Sequence, residues 1–159
     1  MAANTYSFLD VACAISGPGG DVNLSTGVGV DKGGITMAEL EDKATMVVGA
    51  DGAVMHSLHA SKAARVTIRL QKTSAANAAL NAMYRYQTTS AAYYGQNTIT
   101  VRDPVRGDIA TCQQCGFVKH PDLVYAEDGG IMEWTFNCGI YDPKVGDGFP
   151  ISNINQGAA

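Results

Sequence analysis

Charge is what this 159-residue chain has least of: 15 acidic and 11 basic residues make only 16% of it charged. An ordinary soluble domain carries about 25%. A folded monomer of 16.6 kDa exposes roughly 7,600 Å² by size scaling, or about 290 Å² for each charge. That is sparse for a domain facing water on every side, so part of the surface is expected to be covered. Long apolar runs are also missing. No stretch of about 18 apolar residues occurs, so no membrane-spanning helix and no membrane partner are expected. The opening MAANTYSFLDVACA lacks a basic segment ahead of its apolar residues and does not read as a secretory signal. A net charge of −4 and a pI near 5.2 exclude a general nucleic-acid binder, which is normally basic. Cysteine is scarce as well. Cys13, Cys112, Cys115 and Cys138 are too few and too dispersed for a disulfide scaffold, and favour a reduced, intracellular setting.

What is present points to one folded unit. Hydrophobic residues make up 46%, which excludes disorder as the default state. A single domain is expected over residues 1–145, with a loosely ordered tail over 146–159 that is rich in Gly and Asn. The charges are segregated along the chain. Residues 1–60 hold 7 acids and 2 bases, residues 61–120 hold 2 and 8, and residues 121–159 hold 6 and 1. Either the thirds interleave in the fold and the contrast vanishes, or the particle is polar and one copy's basic surface meets another's acidic one. A head-to-tail contact needs such asymmetry.

Periodicity supplies the elements. Strands are expected over Ser7–Ile15, Val22–Leu24, Ile35–Leu40, Thr45–Gly49, Val54–His59, Arg65–Gln71, Asn97–Asp103, Ile109–Lys119 and Ile131–Ile140. Val66, Ile68 and Leu70 share one face, and so do Met132, Trp134, Phe136 and Cys138. One Ala-rich segment breaks the run and predicts a helix at about 75–87, capped by Thr73 or Ser74. The expected fold is mainly β: an antiparallel β-sandwich or barrel with one flanking α-helix.

No motif selects a chemistry. Cys112-Gln113-Gln114-Cys115 has the spacing of half a zinc site, and a complete site needs two more ligands. His120 and Cys138, or His56 and His59, are the available pairs. Yet residues three apart on a strand point to opposite faces, and no thioredoxin-like βαβ context surrounds the pair. The cysteines are expected to pack as ordinary core side chains. His56 and His59 suffer from the same spacing and read as surface or interface residues. The pieces GPGGD and GVGVDKGG lack the Lys-Ser/Thr of a phosphate loop and read as turns, as does Arg106-Gly107-Asp108. No catalytic, cofactor-binding or metal-ligating residue is therefore assigned, and no enzyme activity is expected.

Residues 41–62, EDKATMVVGADGAVMHSLHASK, are more informative. Asp51-Gly52 is a two-residue hairpin signal. The segment is either a regular hairpin of the sheet or a projecting one that orders against another subunit and hides apolar surface there. The candidate contacts are Glu41, Asp42, Lys43, Met46, Asp51, Gly52, Met55, His56, His59 and Lys62.

The blocks TYSFLDVACAISGPGG, GADGAVMHSLHASKAARVTIRLQKTSAANAAL, YYGQNTITVRDPVRGD and CQQCGFVKHPDLVYAEDGGIMEWTF resemble the tail tube proteins of contractile-tailed phages. The likeness runs over about residues 4–145 and carries no catalytic motif. It implies a structural virion protein whose hexameric rings stack into a hollow conduit for DNA ejection, like the tube of type VI secretion systems. It also implies partners: further copies of the chain, tail sheath, tape-measure protein, baseplate and tail terminator, with DNA passing through the lumen without specific binding. Assembly in the bacterial host cytoplasm follows from the same likeness. A tube terminator or secretion-tube homologue of the same fold is the nearest alternative. A metal-binding protein using Cys112 and Cys115 is the alternative from another class.

Overall fold

Alternation decides what lies inside. In a computed structural model that describes residues 5–24 and 28–146, nearly every strand that alternates in sequence buries one face and exposes the other. The strands are β1 (Ala12–Gly17), β2 (Gly20–Asn23), β3 (Val30–Glu39), β4 (Ala44–Val48), β5 (Val54–Leu58), β6 (Ala64–Gln71), β7 (Asn97–Asp103), β8 (Asp108–Lys119) and β9 (Ile131–Lys144), with helix α1 (Ala76–Gln87) between β6 and β7. Seven form one curled antiparallel sheet in the order β2-β1-β7-β8-β9-β6-β3, while β4 and β5 pair only with each other. The fold is thus mainly β with one flanking helix, and its layers come from a single sheet turned on itself.

The core gathers on the concave side. Val66, Ile68 and Leu70 of β6 meet Met132, Trp134 and Phe136 of β9, with Phe117 of β8 against both aromatics. Trp134, Phe117 and Phe136 are essentially inaccessible; burying one such side chain contributes about 1.5–3 kcal/mol. Helix α1 lays Ala76, Asn77, Leu80, Met83 and Gln87 on this side. Polar bolts fix it there. Trp134 Nε1 donates to Asn77 Oδ1 at 3.0 Å, and Asn77 Nδ2 donates to the Gln71 carbonyl at 2.9 Å. Tyr86 stays outside and stacks on Tyr93 at 4.9 Å.

Several boundaries move for local reasons. The strand expected from Ser7 starts at Ala12, because the Ser7 hydroxyl accepts the Leu9 N–H and turns Phe8–Asp10 into a 3₁₀ turn, leaving Leu9 exposed. Such short side-chain bonds compete with strand pairing. Ser74 does not occupy the cap position, which is Ala75; its Oγ nevertheless accepts the Ala76 N–H at 3.2 Å, and its hydroxyl donates to the Val28 carbonyl. Strand β9 runs on through Asp142-Pro143 to Lys144. Proline is tolerated there because the register with β6 ends at Cys138 and only β8 flanks this stretch. The hairpin tip is a three-residue loop, not the two-residue one expected: Gly49 N–H bonds the Ala53 carbonyl at 2.7 Å and Gly52 N–H the Gly49 carbonyl at 2.9 Å, with Gly52 at φ 87°.

The largest correction concerns the cysteines. Gln114 adopts φ 57°, and against β7 the register slips between Asn97↔Cys115 and Ile99↔Cys112. This β-bulge resets the alternation, so Cys112 and Cys115 both enter the core rather than opposite faces. Cys115 lies directly opposite Cys138 and forms a disulfide with it. The expectation that Cys112 and Cys115 pack as ordinary cysteines therefore holds for Cys112, a free thiol like Cys13, and fails for Cys115. The tail expected over 146–159 lies, apart from Gly146, outside the described residues.

Candidate assembly surface

The β4–β5 hairpin is an arm without a seat. Each strand has five residues, which spans about 17 Å at 3.4 Å per residue. The register pairs Met46 with His56 and Val48 with Val54, so Ala44, Met46, Val48, Val54, His56 and Leu58 share one face. Thr45, Val47, Met55 and Ser57 make the other. No residue of β4 or β5 is buried, and Leu58 is 81% exposed. Isolated two-stranded ribbons are marginal in water, and an apolar face of this kind marks a contact surface.

The ten candidate residues are all exposed and all lie on the arm or its root. Met46 and His56 sit side by side on the apolar face, whereas Met55 lies on the reverse beside Val47. Asp51 shapes the tip, its Oδ1 accepting the Ala53 N–H at 3.0 Å. Lys43 braces the root: its Nζ donates to the Ser61 carbonyl at 2.6 Å, and its carbonyl accepts the His59 N–H at 2.8 Å. Lys62 offers its carbonyl to the Tyr141 N–H at 3.0 Å. Glu41 and Asp42 precede β4 and are free in water. Val48, Val54 and Leu58, the strongest apolar members of the face, escaped the sequence reading. Only the register across the tip identifies them.

The arm leaves one particular end of the curled sheet. It is rooted between Glu39 and Ala64, which pair with each other. Six residues further along β9 than the Cys138 that pairs with Ala64, the residues Ala12, Arg102, Ile109 and Lys144 stand in one row across β1, β7, β8 and β9. Helix α1 is bonded to the sheet through Gln71 at the far end of β6 and through Asn97, which is level with Ala64 by way of Cys115 and Cys138. The row through Ile109 borders an open groove of about 260 Å³ whose walls include Tyr6, Phe8, Ile109, Pro143 and Val145.

Charge is also sorted in space. Arg65, Arg69, Arg102 and Lys119 lie on the outward side of the sheet, where Thr36, Thr67 and Thr135 form a row across β3, β6 and β9. Glu133 pairs with Arg69 at 3.6 Å. The acids of the first third include Glu41, Asp42 and Asp51 on the arm.

No three His, Cys, Asp or Glu side chains gather among the described residues. His120 is engaged elsewhere, Nε2 with Asn81 Oδ1 at 3.0 Å and Nδ1 with the Pro121 carbonyl at 2.9 Å. Burial pushes the Cys112 thiol up to about 11, and burial together with the nearby Cys112 pushes the Cys13 thiol up to about 12, the opposite of an activated thiolate. Among the described residues no helix is long and apolar enough to cross a membrane.

Residues 3–146 match the family described as Bacteriophage PhiTE tail tube protein. The chain belongs to that family. Membership makes it a structural component of a phage tail tube. No curated protein sequence matches the chain. Among solved structures the fold is similar to the sheath–tube complex of an extracellular contractile injection system, PVC, in its extended state (TM-score 0.53, 9% identity, 84% of this chain and 88% of that one). It is similar to the tube-terminating cap of the anti-feeding prophage (TM-score 0.53, 11% identity, 91% and 95%). It is also similar to the PVC sheath/tube terminator (TM-score 0.54, 9% identity, 91% and 100%). At such identities the likeness is one of fold.

Proposed function

We propose that this tail tube protein is the repeating subunit: six copies close into a ring, and rings stack into a hollow conduit through which phage DNA is ejected. The observation that carries the reading is the β4–β5 arm, whose apolar face is exposed with nothing to cover it among the described residues. Covering it between copies explains why the surface is so poor in charge. Sheath outside, tape measure within, and baseplate and terminator at the ends are the partners this role implies. A net charge of −4 suits a lumen that DNA must slide through, because each phosphate neutralised adds salt-sensitive affinity.

A tube terminator is the second reading, favoured by the full coverage of the PVC terminator by the shared fold. Electron microscopy of purified protein separates the two. A tube subunit gives stacked rings of indefinite length, whereas single rings that never stack favour the terminator. A strictly monomeric species at high concentration, also with tape-measure protein supplied, overturns the tube reading.

A further inference from the structure

We propose that Asp128 is a site of covalent modification, where the side chain cyclises onto the Gly129 nitrogen and reopens as an isoaspartyl link. The altered β8–β9 loop is then a substrate for carboxyl methyltransferases that recognise isoaspartate. The chain holds three Asp-Gly steps: Asp51-Gly52, Asp128-Gly129 and Asp147-Gly148. Glycine after aspartate leaves the attacking nitrogen unshielded, since no Cβ stands beside it. The third step lies outside the described residues, and the fold separates the other two.

The β8–β9 loop is pinned on both sides of its Asp-Gly step and untied between. Lys72 makes both pins. Its Nζ donates to the Val124 carbonyl and sits 3.7 Å from the centre of the Tyr125 ring, while its backbone N–H donates to the Gly130 carbonyl at 3.3 Å. Ala126, Glu127, Asp128 and Gly129 are exposed and make no hydrogen bond or ion pair among the described residues. An added Cβ at Gly129 would meet nothing within 4 Å. The carboxyl and the amide it must meet are thus adjacent in the chain, unclaimed, and have room to turn toward each other. At the arm tip both groups are engaged: Asp51 Oδ1 accepts the Ala53 N–H at 3.0 Å, and the Gly52 N–H donates to the Gly49 carbonyl at 2.9 Å.

The step balances with water alone. The Gly129 nitrogen attacks Cγ of the neutral Asp128 carboxyl and a C–N bond forms. The carboxyl hydroxyl leaves as water, taking up the amide proton. Water then adds back to the five-membered ring. Opening at Cγ restores aspartate. Opening at the main-chain carbonyl leaves the backbone running through Cβ and Cγ, one carbon longer, with a free α-carboxylate. That longer link falls just before Gly130, whose carbonyl holds the loop to Lys72.

Ageing the full chain in warm, mildly acidic buffer tests the site. After reduction, trypsin yields residues 120–144, which hold Asp128, and residues 44–62, which hold Asp51. Electron-transfer fragmentation detects isoaspartate in each by ions from cleavage of its Cα–Cβ bond, and labelling by an isoaspartate carboxyl methyltransferase gives an independent count. In the folded chain isoaspartate should build up at Asp128 faster than at Asp51 by a factor of about ten or more. Ageing in guanidinium chloride should erase that difference, because unfolding frees the groups at the arm tip. Asp128→Glu should abolish the signal in residues 120–144, and Gly129→Val should lower it severalfold by shielding the nitrogen. Equal rates at the two sites in the folded chain, no isoaspartate at Asp128, or the same preference after unfolding would each overturn the proposal. None of these results bears on the tube-subunit reading.

Discussion

Gln87 and Asn97 exchange two hydrogen bonds in the core: Gln87 Nε2 donates to Asn97 Oδ1 at 2.7 Å, and Asn97 Nδ2 donates to Gln87 Oε1 at 2.9 Å. Both side chains are fully buried, one ending α1 and the other beginning β7. Gln87 also donates to the Pro18 carbonyl at 2.8 Å. The pair thus joins helix, sheet and the β1–β2 turn. Replacing one partner, as in Gln87→Leu, leaves a buried amide unsatisfied and should cost about 1–3 kcal/mol. Urea unfolding of Gln87→Leu, Asn97→Leu and the double variant checks this. The double variant should lose clearly less than the two single losses combined.

The disulfide makes a second measurable demand. Cys115 and Cys138 are 23 residues apart, and a loop of that size stabilises by about 3 kcal/mol in the chain-entropy account. Reduction, or Cys138→Ala, should lower the unfolding midpoint by a corresponding amount. Thiol titration of unfolded, unreduced protein should find two free thiols, Cys13 and Cys112, and four after reduction.

These pairings also mark how far the sequence could be read. The inward sides of β6 and β9 were legible because alternation in Val66-Ile68-Leu70 and Met132-Trp134-Phe136 continues without a break against straight neighbours. The bulge at Gln114 was not legible. A left-handed residue is usually announced by Gly or Asn, and Gln gives no such signal. The one available hint was Gly139 across the ladder, where an added Cβ would meet Gln114 Oε1 at 2.7 Å. Missing that bulge sent Cys112 and Cys115 to opposite faces and hid the Cys115–Cys138 pair. Likewise, the candidate contacts found the arm and, with Met46 and His56, one pair of its apolar face, but missed Val48, Val54 and Leu58. Face membership depends on which residues pair across the tip, and that depends on a loop of three residues rather than two.

The two buried free thiols give a pH dependence with a definite sign. Burial raises Cys112 to about 11, and burial with the Cys112 neighbour raises Cys13 to about 12, from an ordinary 9.0. The unfolded chain therefore ionises first as pH rises. The contribution to stability is complete below pH 9 and is lost progressively as pH climbs through 11 to 12. Urea midpoints of the wild type should fall more steeply above pH 9 than those of a Cys13→Ala, Cys112→Ala variant. Equal slopes would show that ionisation of these thiols is not resisted by the fold.

Shortening the arm separates folding from assembly. No side chain of β4 or β5 belongs to the core cluster, and among the described residues the two strands pair with nothing else. Removing the tip at Asp51-Gly52 takes away the loop that sets the register of the two strands, so the apolar face loses its definition while the seven-stranded sheet keeps every contact. The variant should therefore melt within about 2 °C of the wild type, no more than the 2–4 °C that 1 kcal/mol produces at this chain length. Its circular dichroism should remain that of a β protein. Ring and tube formation should be abolished, as scored by electron microscopy and sedimentation. Leu58→Asp is the milder companion, since it leaves the tip intact but places a charge on the apolar face; assembly should weaken at least tenfold with no loss of fold. Tubes that grow normally from both variants would mean that the covered surface lies elsewhere on the sheet and that the arm is no part of the joint.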